Sequence, residues 1–473
     1  MSTFRSWYKK CIFIKKVAHK NVLYFKIVAH FFVFLQLDKI ISMYRNVINE
    51  LINWKMSPYR KPLLLLGARQ VGKTYILKYF GQSFYKNVAY INCDHNERVK
   101  DLFTEDYAID RILLSISAIT GETIIPGETL IILDEVQELQ RGLSSLKYFC
   151  ENAPEQHVCV AGSLLGVTMR HGESFPVGKV NIIKMYPMTF DEFLRAKGKD
   201  LLADLLRKRD WDTLRGTHTV LIQLLREYFF VGGMPGVVSL FRETNDANIV
   251  RKAQDEILSA YANDMAKHTT PTEIKRISQV WRSMPSQLSK ENKKFIYGVV
   301  REGGRAKDFE LAIQWLVDAG LVLRVPRVST PAMPLNLYED ISTFKLYLLD
   351  VGLLGALAGT PAELLLMPNN MGEGKGMFTE NYVCTQLVAG TGRLPFYYSR
   401  ENSRLEIDFV VQYGTQIVPV EVKAEENLQS KSLKTILQKH KDLTAVRFSM
   451  SPYREQERMT NMPLYGASVC FTD

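Results

Sequence analysis

The chain has 473 residues and a mass of 54.2 kDa, enough for two to four domains and too much for one small core. Hydrophobic residues make up 46% and charged residues 23%, an ordinary globular mixture that excludes collagen, coiled coil and wholesale disorder. The net charge is +10, but Arg5, Lys9, Lys10, Lys15, Lys16, Lys20, Lys26 and Lys39 against Asp38 give residues 1–42 a charge of +7 and leave +3 for the other 431 residues. Overall basicity therefore argues for a nucleic-acid or membrane partner only at the N-terminal tenth of the chain.

That leader, residues 1–42, mixes Phe, Ile, Val and Lys without caps or a clean period. Its longest stretch free of Lys, Arg, Asp and Glu, Ile27 to Leu37, is 11 residues, short of the roughly 20 that cross a bilayer. Lysines punctuate it throughout, which does not fit a secretory signal. Translation is expected to start at Met43, where Tyr44, Val47, Leu51 and Trp54 begin an amphipathic pattern; the competing reading is a basic membrane-surface or partner-binding leader. Cys11, Cys93, Cys150, Cys159, Cys384 and Cys470 form no C-x-x-C pair and suggest neither a zinc site nor a disulfide framework. With no export signal, a cytoplasmic location is expected.

From Lys61 the pattern is that of an α/β protein with a parallel sheet. Short apolar runs at Leu63–Leu66, Val88–Asn92, Leu130–Leu133 and Val158–Ala161 suit strands buried on both faces, and helix-prone stretches separate them. After the run from Lys179 to Met185 the strands stop. Helical patterns then dominate from Pro187 to about Ala319, interrupted by Gly232-Gly-Met-Pro-Gly236, and a second α+β region has strands near Phe344–Leu349, Ile407–Val411 and Ile417–Val422.

Gly67-Ala68-Arg69-Gln70-Val71-Gly72-Lys73-Thr74 is a complete G-x-x-x-x-G-K-T phosphate loop, directly between an apolar strand and a helix-prone stretch. Gly67 and Gly72 let backbone N–H groups turn inward around phosphates at a helix N-terminus. Lys73 would contact the β and γ phosphates, and Thr74 would place its hydroxyl on Mg²⁺. Thr129 to Glu135 is an apolar strand ending in two acids, which delivers Asp134 toward the metal and Glu135 to an attacking water as general base. ATP and Mg²⁺ are thus the expected ligands, and Lys73, Glu135 and Ser163 the expected catalytic set. Ser163, after the Val158–Ala161 strand, either reports the γ-phosphate or simply forms a small-residue turn. Asp94 is a weaker candidate that also reads as a helix cap. A charge-neutralising arginine is sought among Arg69, Arg141 and Arg170, which no spacing rule separates.

The loop at Gly67–Thr74, the strand ending Leu133-Asp-Glu135, the turn Ala161-Gly-Ser163 and Tyr186-Pro-Met-Thr-Phe-Asp-Glu-Phe-Leu194 together resemble the bacterial and archaeal AAA-type ATPases that carry a C-terminal domain of unknown function. Gly232-Gly-Met-Pro235, Phe344-Lys-Leu-Tyr-Leu-Leu-Asp350 and Thr379-Glu-Asn381 extend the likeness from about Met43 to the C-terminus. The resemblance implies an AAA-type P-loop sheet, with an additional strand between the phosphate-loop strand and the Asp-Glu strand, and implies ATP as ligand. Members often show Gly-Arg where this chain has Gly178-Lys179.

Beyond the sheet, Gln287–Asn292 is predicted to begin a helix, followed by a helix over Ala306–Ala319 and the strand-like Leu321–Val325, an order that resembles a winged helix. The second of these helices offers Lys307 and Gln314 against Asp308, Glu310 and Asp318, a poor set for reading base edges. In the last region Glu380 falls on a helix, Asp408 on a strand and Glu421-Val-Lys423 on the next. Residues two apart on a strand share a face, so the set could hold Mg²⁺ with Lys423 steadying a hydroxide, in an order that resembles the restriction-endonuclease-like fold. The plain alternative is a solvated face of alternating charges.

The sequence thus predicts a leader over 1–42, a P-loop ATPase domain over 43–200, a helical and winged-helix-like region over 201–335, and an α+β restriction-endonuclease-like domain over 336–473. The expected activity is Mg²⁺-dependent ATP hydrolysis coupled to the C-terminal regions. The alternatives are an ATP-gated nuclease and a nucleotide-binding scaffold that docks a partner without hydrolysis. A nucleic-acid or protein partner is left open, as is the choice of ring, dimer or monomer.

Overall fold

The computed structural model describes residues 43–104, 106–163, 165–168, 175–267, 270–367, 374–400, 405–425 and 429–472. The chain divides into two compact units, Met1–Tyr44 and Arg45–Asp473, and every element below belongs to the second. The leader lies outside the described residues.

Helix α1 (Val47–Met56) buries Val47, Ile48, Leu51 and Trp54, the face its periodicity marks. The apolar runs then form β1 (Leu63–Leu66), β2 (Asn87–Asn92), β3 (Thr129–Asp134), β4 (His157–Ala161) and β5 (Asn181–Lys184). Between them run α2 (Lys73–Phe84), α3 (Ile109–Thr120) and α4 (Gly142–Asn152). All four strand pairings are parallel, in the order β2-β3-β4-β1-β5. Strand β4 therefore separates β1 from β3, the additional strand the resemblance implies. Leu64, Ile131 and Leu133 pack with Ile112 and Ile116 of α3 and Leu146 and Phe149 of α4. Leu63, Leu65, Leu130 and Ile132, on the other face by alternation, are equally buried. Removing each such leucine from water contributes about 2 kcal/mol, so the apolar strands need no other explanation.

The strands stop after β5, as the sequence indicates, and helices follow: α5 (Phe190–Ala196), α6 (His218–Val231), α7 (Pro235–Thr244) and α8 (Ala247–Lys267) among them. The Gly-Gly-Met-Pro-Gly interruption is a helix stop and restart. Gly232 ends α6 at φ 76°, and Pro235 occupies the first turn of α7, where its missing N–H costs nothing. A Cβ on Gly232 would lie 2.1 Å from Asp350 Oδ1, and one on Gly233 2.2 Å from Met188 O. Only glycine permits these approaches.

Helix α9 (Pro271–Leu288) corrects one expectation: Gln287–Asn292 ends a helix and does not begin one. The start signal lies upstream, where Thr270 and Glu273 form a capping box with Pro271 in the first turn. The short α10 (Tyr297–Val300) and α11 (Ala306–Asp318) follow, then β6 (Val322–Val328) and β7 (Glu339–Leu348), which pair antiparallel. Strand β6 also pairs with β8 (Phe396–Ser399), so both strands belong to a second, eight-stranded sheet. The sheet takes β6 from before residue 335 and its other strands from after it.

Helix α12 (Val351–Leu357) is capped by Asp350, and α13 (Lys375–Thr391) precedes β8. Strands β8, β9 (Glu406–Tyr413) and β10 (Gln416–Val422) are antiparallel neighbours. After α14 (Lys431–Lys439), β11 (Ala445–Ser449) lies parallel to β10, and β12 (Arg454–Gln456) and β13 (Met459–Pro463) complete the sheet. Among the described residues no helix is long and apolar enough to cross a membrane.

Asp350 joins two regions: its carboxylate accepts from Gly233 N at 2.6 Å and from Leu353 N at 2.9 Å. Burial pushes its carboxyl up to about 6, against the pull of those amides, with Tyr228 and Tyr261 packed nearby. A carboxyl raised in the folded state holds its proton more tightly there than in the unfolded chain, so its contribution to stability falls as pH rises from about 4 to about 6. Asp350→Asn removes this titration. Thermal melts of the two proteins should show the difference shifting in the variant's favour across that window, by about 3 kcal/mol at most, whatever its constant offset.

Candidate nucleotide-binding site

The phosphate loop is held before any ligand arrives. Leu66 ends β1 and accepts from Met185 N at 2.8 Å, which fixes the loop's first residue beside the end of β5. A Cβ on Gly67 would lie 2.3 Å from Met185 O, so the chain passes only as glycine. Gln70 takes a left-handed conformation at φ 68°, and Gly72, at φ 95°, turns the chain into α2. Ala68 and Val71 are buried. Lys73 and Thr74 are the first two residues of α2, where helix amides present partial positive charge.

Lys73 is buried, and its ammonium donates to Gly67 O and Ala68 O, both at 2.8 Å, curling back over the loop. Burial lowers it to about 8, opposed by Glu135 and Asp134. Thr74 Oγ1 donates to Asp134 Oδ2 at 2.6 Å, and Tyr90 OH donates to the same oxygen at 3.2 Å. Asp134 Oδ1 is buried without a hydrogen-bond partner. A buried acceptor left unmet beside a phosphate loop is where a cation or its water would be held. Glu135 has φ 53°, which turns it out of the strand. Its Oε2 accepts from Ser163 N at 3.0 Å, Ser163 Oγ at 3.3 Å and Gln137 Nε2 at 2.5 Å. The structure thus brings Lys73, Thr74, Asp134, Glu135 and Ser163 together at the C-terminal edge of the sheet.

The arginine candidates are otherwise engaged. Arg69 pairs with Asp264 of α8 at 2.7 Å, and Tyr261 OH donates to Arg69 O at 2.9 Å, so α8 grips the loop from outside. Arg141 donates to Tyr107 OH and Thr104 O, both at 2.9 Å. Arg170 lies outside the described residues. Asp94 is half-exposed and faces His95, and Lys179 pairs with Glu151 at 2.8 Å.

Arg45 carried no sequence signal. It is buried, donating through Nη1 to Val71 O at 2.7 Å, through Nη2 to Tyr186 O at 2.5 Å and through Nε to Glu192 Oε2 at 3.2 Å. Glu192 is the third residue of the Thr189 capping box of α5, so one guanidinium ties the phosphate loop to the helix that follows β5. The Thr-x-x-Glu spacing was readable; its arginine partner, 147 positions away, was not.

The C-terminal candidates lie on α13, β9 and β10. Glu380 pairs with Lys293 at 2.6 Å, both buried, and accepts from Tyr347 OH at 3.2 Å. Asp408 accepts from Val422 N at 2.7 Å, and burial, then the charge of Glu380, push its carboxyl up to about 7. Glu421 pairs with Lys423 at 2.5 Å, and its Oε2 is buried without a hydrogen-bond partner. Lys345 of β7, fully buried, pairs with Glu406 at 2.5 Å. Burial lowers that ammonium, but Glu380, Glu406 and Asp408 outweigh it and hold it above its ordinary range. Lys293 and Lys345 therefore supply positive charge beside Glu380, Glu406 and Asp408. Among the described residues no group of three or more His, Cys, Asp or Glu side chains is arranged to hold one.

Residues 59–194 match the family model of an AAA domain. Residues 222–364 and 375–465 match two domains of unknown function, DUF8612 and DUF4143. No curated protein matches the chain. Among solved structures it is similar to the Walker-type ATPase PABY2304 of Pyrococcus abyssi, at 14% identity over 67% of this chain and 96% of that one, TM-score 0.43. It is also similar to the Aeropyrum pernix ORC1 protein in complex with DNA, at 14% over 69% and 96%, TM-score 0.28. A third is the Thermotoga maritima RuvB Holliday junction branch migration motor, at 14% over 60% and 90%, TM-score 0.29. The matched AAA domain and the five-stranded parallel sheet make the N-terminal part an AAA-type P-loop domain.

Arg45→Ala leaves Glu192 buried without its cation and two loop carbonyls without a donor. Urea unfolding should show a loss of about 3 kcal/mol or more, and nucleotide affinity, measured by calorimetry, should fall with it.

Proposed function

We propose that the protein is a Mg²⁺-dependent ATPase of the AAA type whose nucleotide state is transmitted to the middle and C-terminal regions. The observation that carries the reading is the unmet Asp134 Oδ1 beside the Thr74 hydroxyl, at the mouth of a buried phosphate loop. These oxygen donors fit a hard divalent cation, and Thr74 and Asp134 are the residues that would hold it. When bound, Mg²⁺ supplies neutralisation of charge on the β and γ phosphate oxygens.

The chain's own residues do the rest. Loop amides from Gly67 to Thr74 and the first turn of α2 bind the phosphates, and Lys73 exchanges its two carbonyl partners for phosphate oxygens. Glu135 orients a water and accepts its proton. Its bonds to Ser163 and Gln137 hold the carboxylate in place at the edge of the site, where Ser163 also links it to the turn after β4.

Contact supports the coupling. Where α11 ends, Gly320 lies against the loop: a Cβ there would be 3.4 Å from Ala68 N. Asp318 O would be 2.1 Å from a Cβ on Gly166, just after Ser163. A cavity of about 730 Å³ adjoins these contacts, lined by Gly67, Ala68, Ser163, Asp318, Gly320 and Gln386. From Gly320 the chain enters β6 and so the C-terminal sheet.

Phosphate release with Mg²⁺ tests the reading. Glu135→Gln should lower kcat by about 10²-fold or more while calorimetry still finds nucleotide bound, and Lys73→Ala should lose both. Nucleotide binding by the unaltered chain with no phosphate release would leave the non-hydrolysing scaffold as the better account.

A further inference from the structure

We infer that the solvent face of α9, with the loop and turn leading to α11, is a binding surface for the phosphate backbone of a nucleic acid, engaged without regard to base sequence. The charge of +3 outside the leader conceals a strong local imbalance. Residues 271–307 contain nine Lys and Arg against three Glu, so the remainder of the 431 residues is net negative. This region is independent of the nucleotide site, and the inference does not rest on the ATPase reading.

The charges are sorted by face. Ile277, Val280, Trp281, Met284 and Leu288 turn the apolar side of α9 into the protein. Lys275 and Arg282 are exposed on the opposite side, seven residues apart, and Lys290 is exposed just past the end of the helix at Leu288. At 1.5 Å per residue the step on the helix is about 10 Å, two helical turns, which keeps Lys275 and Arg282 in one stripe that Lys290 follows. Lys294 extends it into the loop after α9, and Lys307 stands exposed in the first turn of α11. Lys293, by contrast, is buried on Glu380.

Pairing separates these cations from several other surface lysines and arginines. Lys86, Lys100, Arg111 and Lys179 each sit on an acidic partner. Among the described residues Lys275, Arg282, Lys290, Lys294 and Lys307 take part in no ion pair. A row of solvated, unpaired cations gains most from a polyphosphate, because each contact releases counterions condensed on the nucleic acid.

The neighbouring side chains narrow the partner. The outward face of α11 includes Leu311, 72% exposed, which offers no hydrogen bond to a base edge. Binding therefore follows the backbone. A membrane surface would require an apolar helix face turned outward, and α9 keeps its own inside.

The test uses the full chain without nucleotide and fluorescence anisotropy on a labelled mixed-sequence DNA duplex and on its single strand, between about 50 and 200 mM salt. The unaltered protein should bind at least one probe, with affinity falling steeply as salt rises. The triple variant Lys275→Ala/Arg282→Ala/Lys290→Ala should weaken binding about tenfold or more at the lower salt and reduce the log–log salt slope by roughly 3 on the duplex, at unchanged melting temperature. Lys431→Ala/Lys434→Ala on α14, equally basic and exposed, should change neither. No binding to either probe at the lower salt would overturn the inference, as would an unaffected triple variant, or an α14 variant that loses as much. Retention on phosphatidylserine vesicles, lost in the triple variant while DNA goes unbound, would assign the face to a membrane and overturn it equally.

Discussion

The hydrogen bond from Thr74 Oγ1 to Asp134 Oδ2 ties together two residues whose strands are not neighbours. Thr74 follows β1, Asp134 ends β3, and β4 runs between them, so the two side chains must meet over the end of β4. That end is built to be low: Ala161 is followed by Gly162, where a Cβ would lie 2.1 Å from Gln137 Oε1. Any larger residue would push Gln137 off Glu135 and fill the space across which the loop and the acids face each other. The dry sheet beneath supplies the rigidity. The central strands β1, β3 and β4 are apolar through their middles on both faces, and the acids that face the loop stand at the C-terminal edge, which is where phosphate and metal chemistry in parallel sheets is positioned.

The middle region grips that edge on more than one side. Helix α8 presents Asp264 to the Arg69 guanidinium and the Tyr261 hydroxyl to the Arg69 carbonyl. The turn after α11 lies against Ala68 through Gly320. A phosphate loop that rearranges around a ligand therefore changes contacts with helices more than 180 positions later in the chain, and no long-range electrostatics is required to carry the signal. Such packing places the loop and the middle region in one contiguous network, the route along which the proposed coupling would run.

What was legible in the sequence was what is local. The phosphate loop, the Asp-Glu strand end and the five parallel strands are each specified within a dozen residues, and each lies within one or two residues of its expected place. The Thr270-Pro-Thr-Glu273 capping box is equally local and marks the observed start of α9. Arg45 was illegible because its partners Val71, Tyr186 and Glu192 are assembled only by folding. The pairing of β6 with β8 was hidden for the same reason: the two strands are separated by β7, α12 and α13, and no turn signal announces a parallel partner.

The carboxylates of the last region show how one pattern supports two electrostatic solutions. Glu380, Asp408 and Glu406 are acidic groups in or beside a dry interior, and burying such charges without compensation costs several kcal/mol per ion. A divalent cation meets that demand with oxygen ligands; lysines from another part of the chain meet it with ammonium groups. Here Lys345 comes from β7 and Lys293 from the loop before α10, while Lys294 bridges to Lys345 through the backbone. Because the Lys293 ammonium arrives from the middle region, the charge balance at Glu380 depends on that region being docked. A fragment without that region would keep Lys345 but would have to protonate Glu380 or find another cation for it. The joint is therefore a condition for folding the two regions as one body, which the shared eight-stranded sheet enforces through its hydrogen bonds as well.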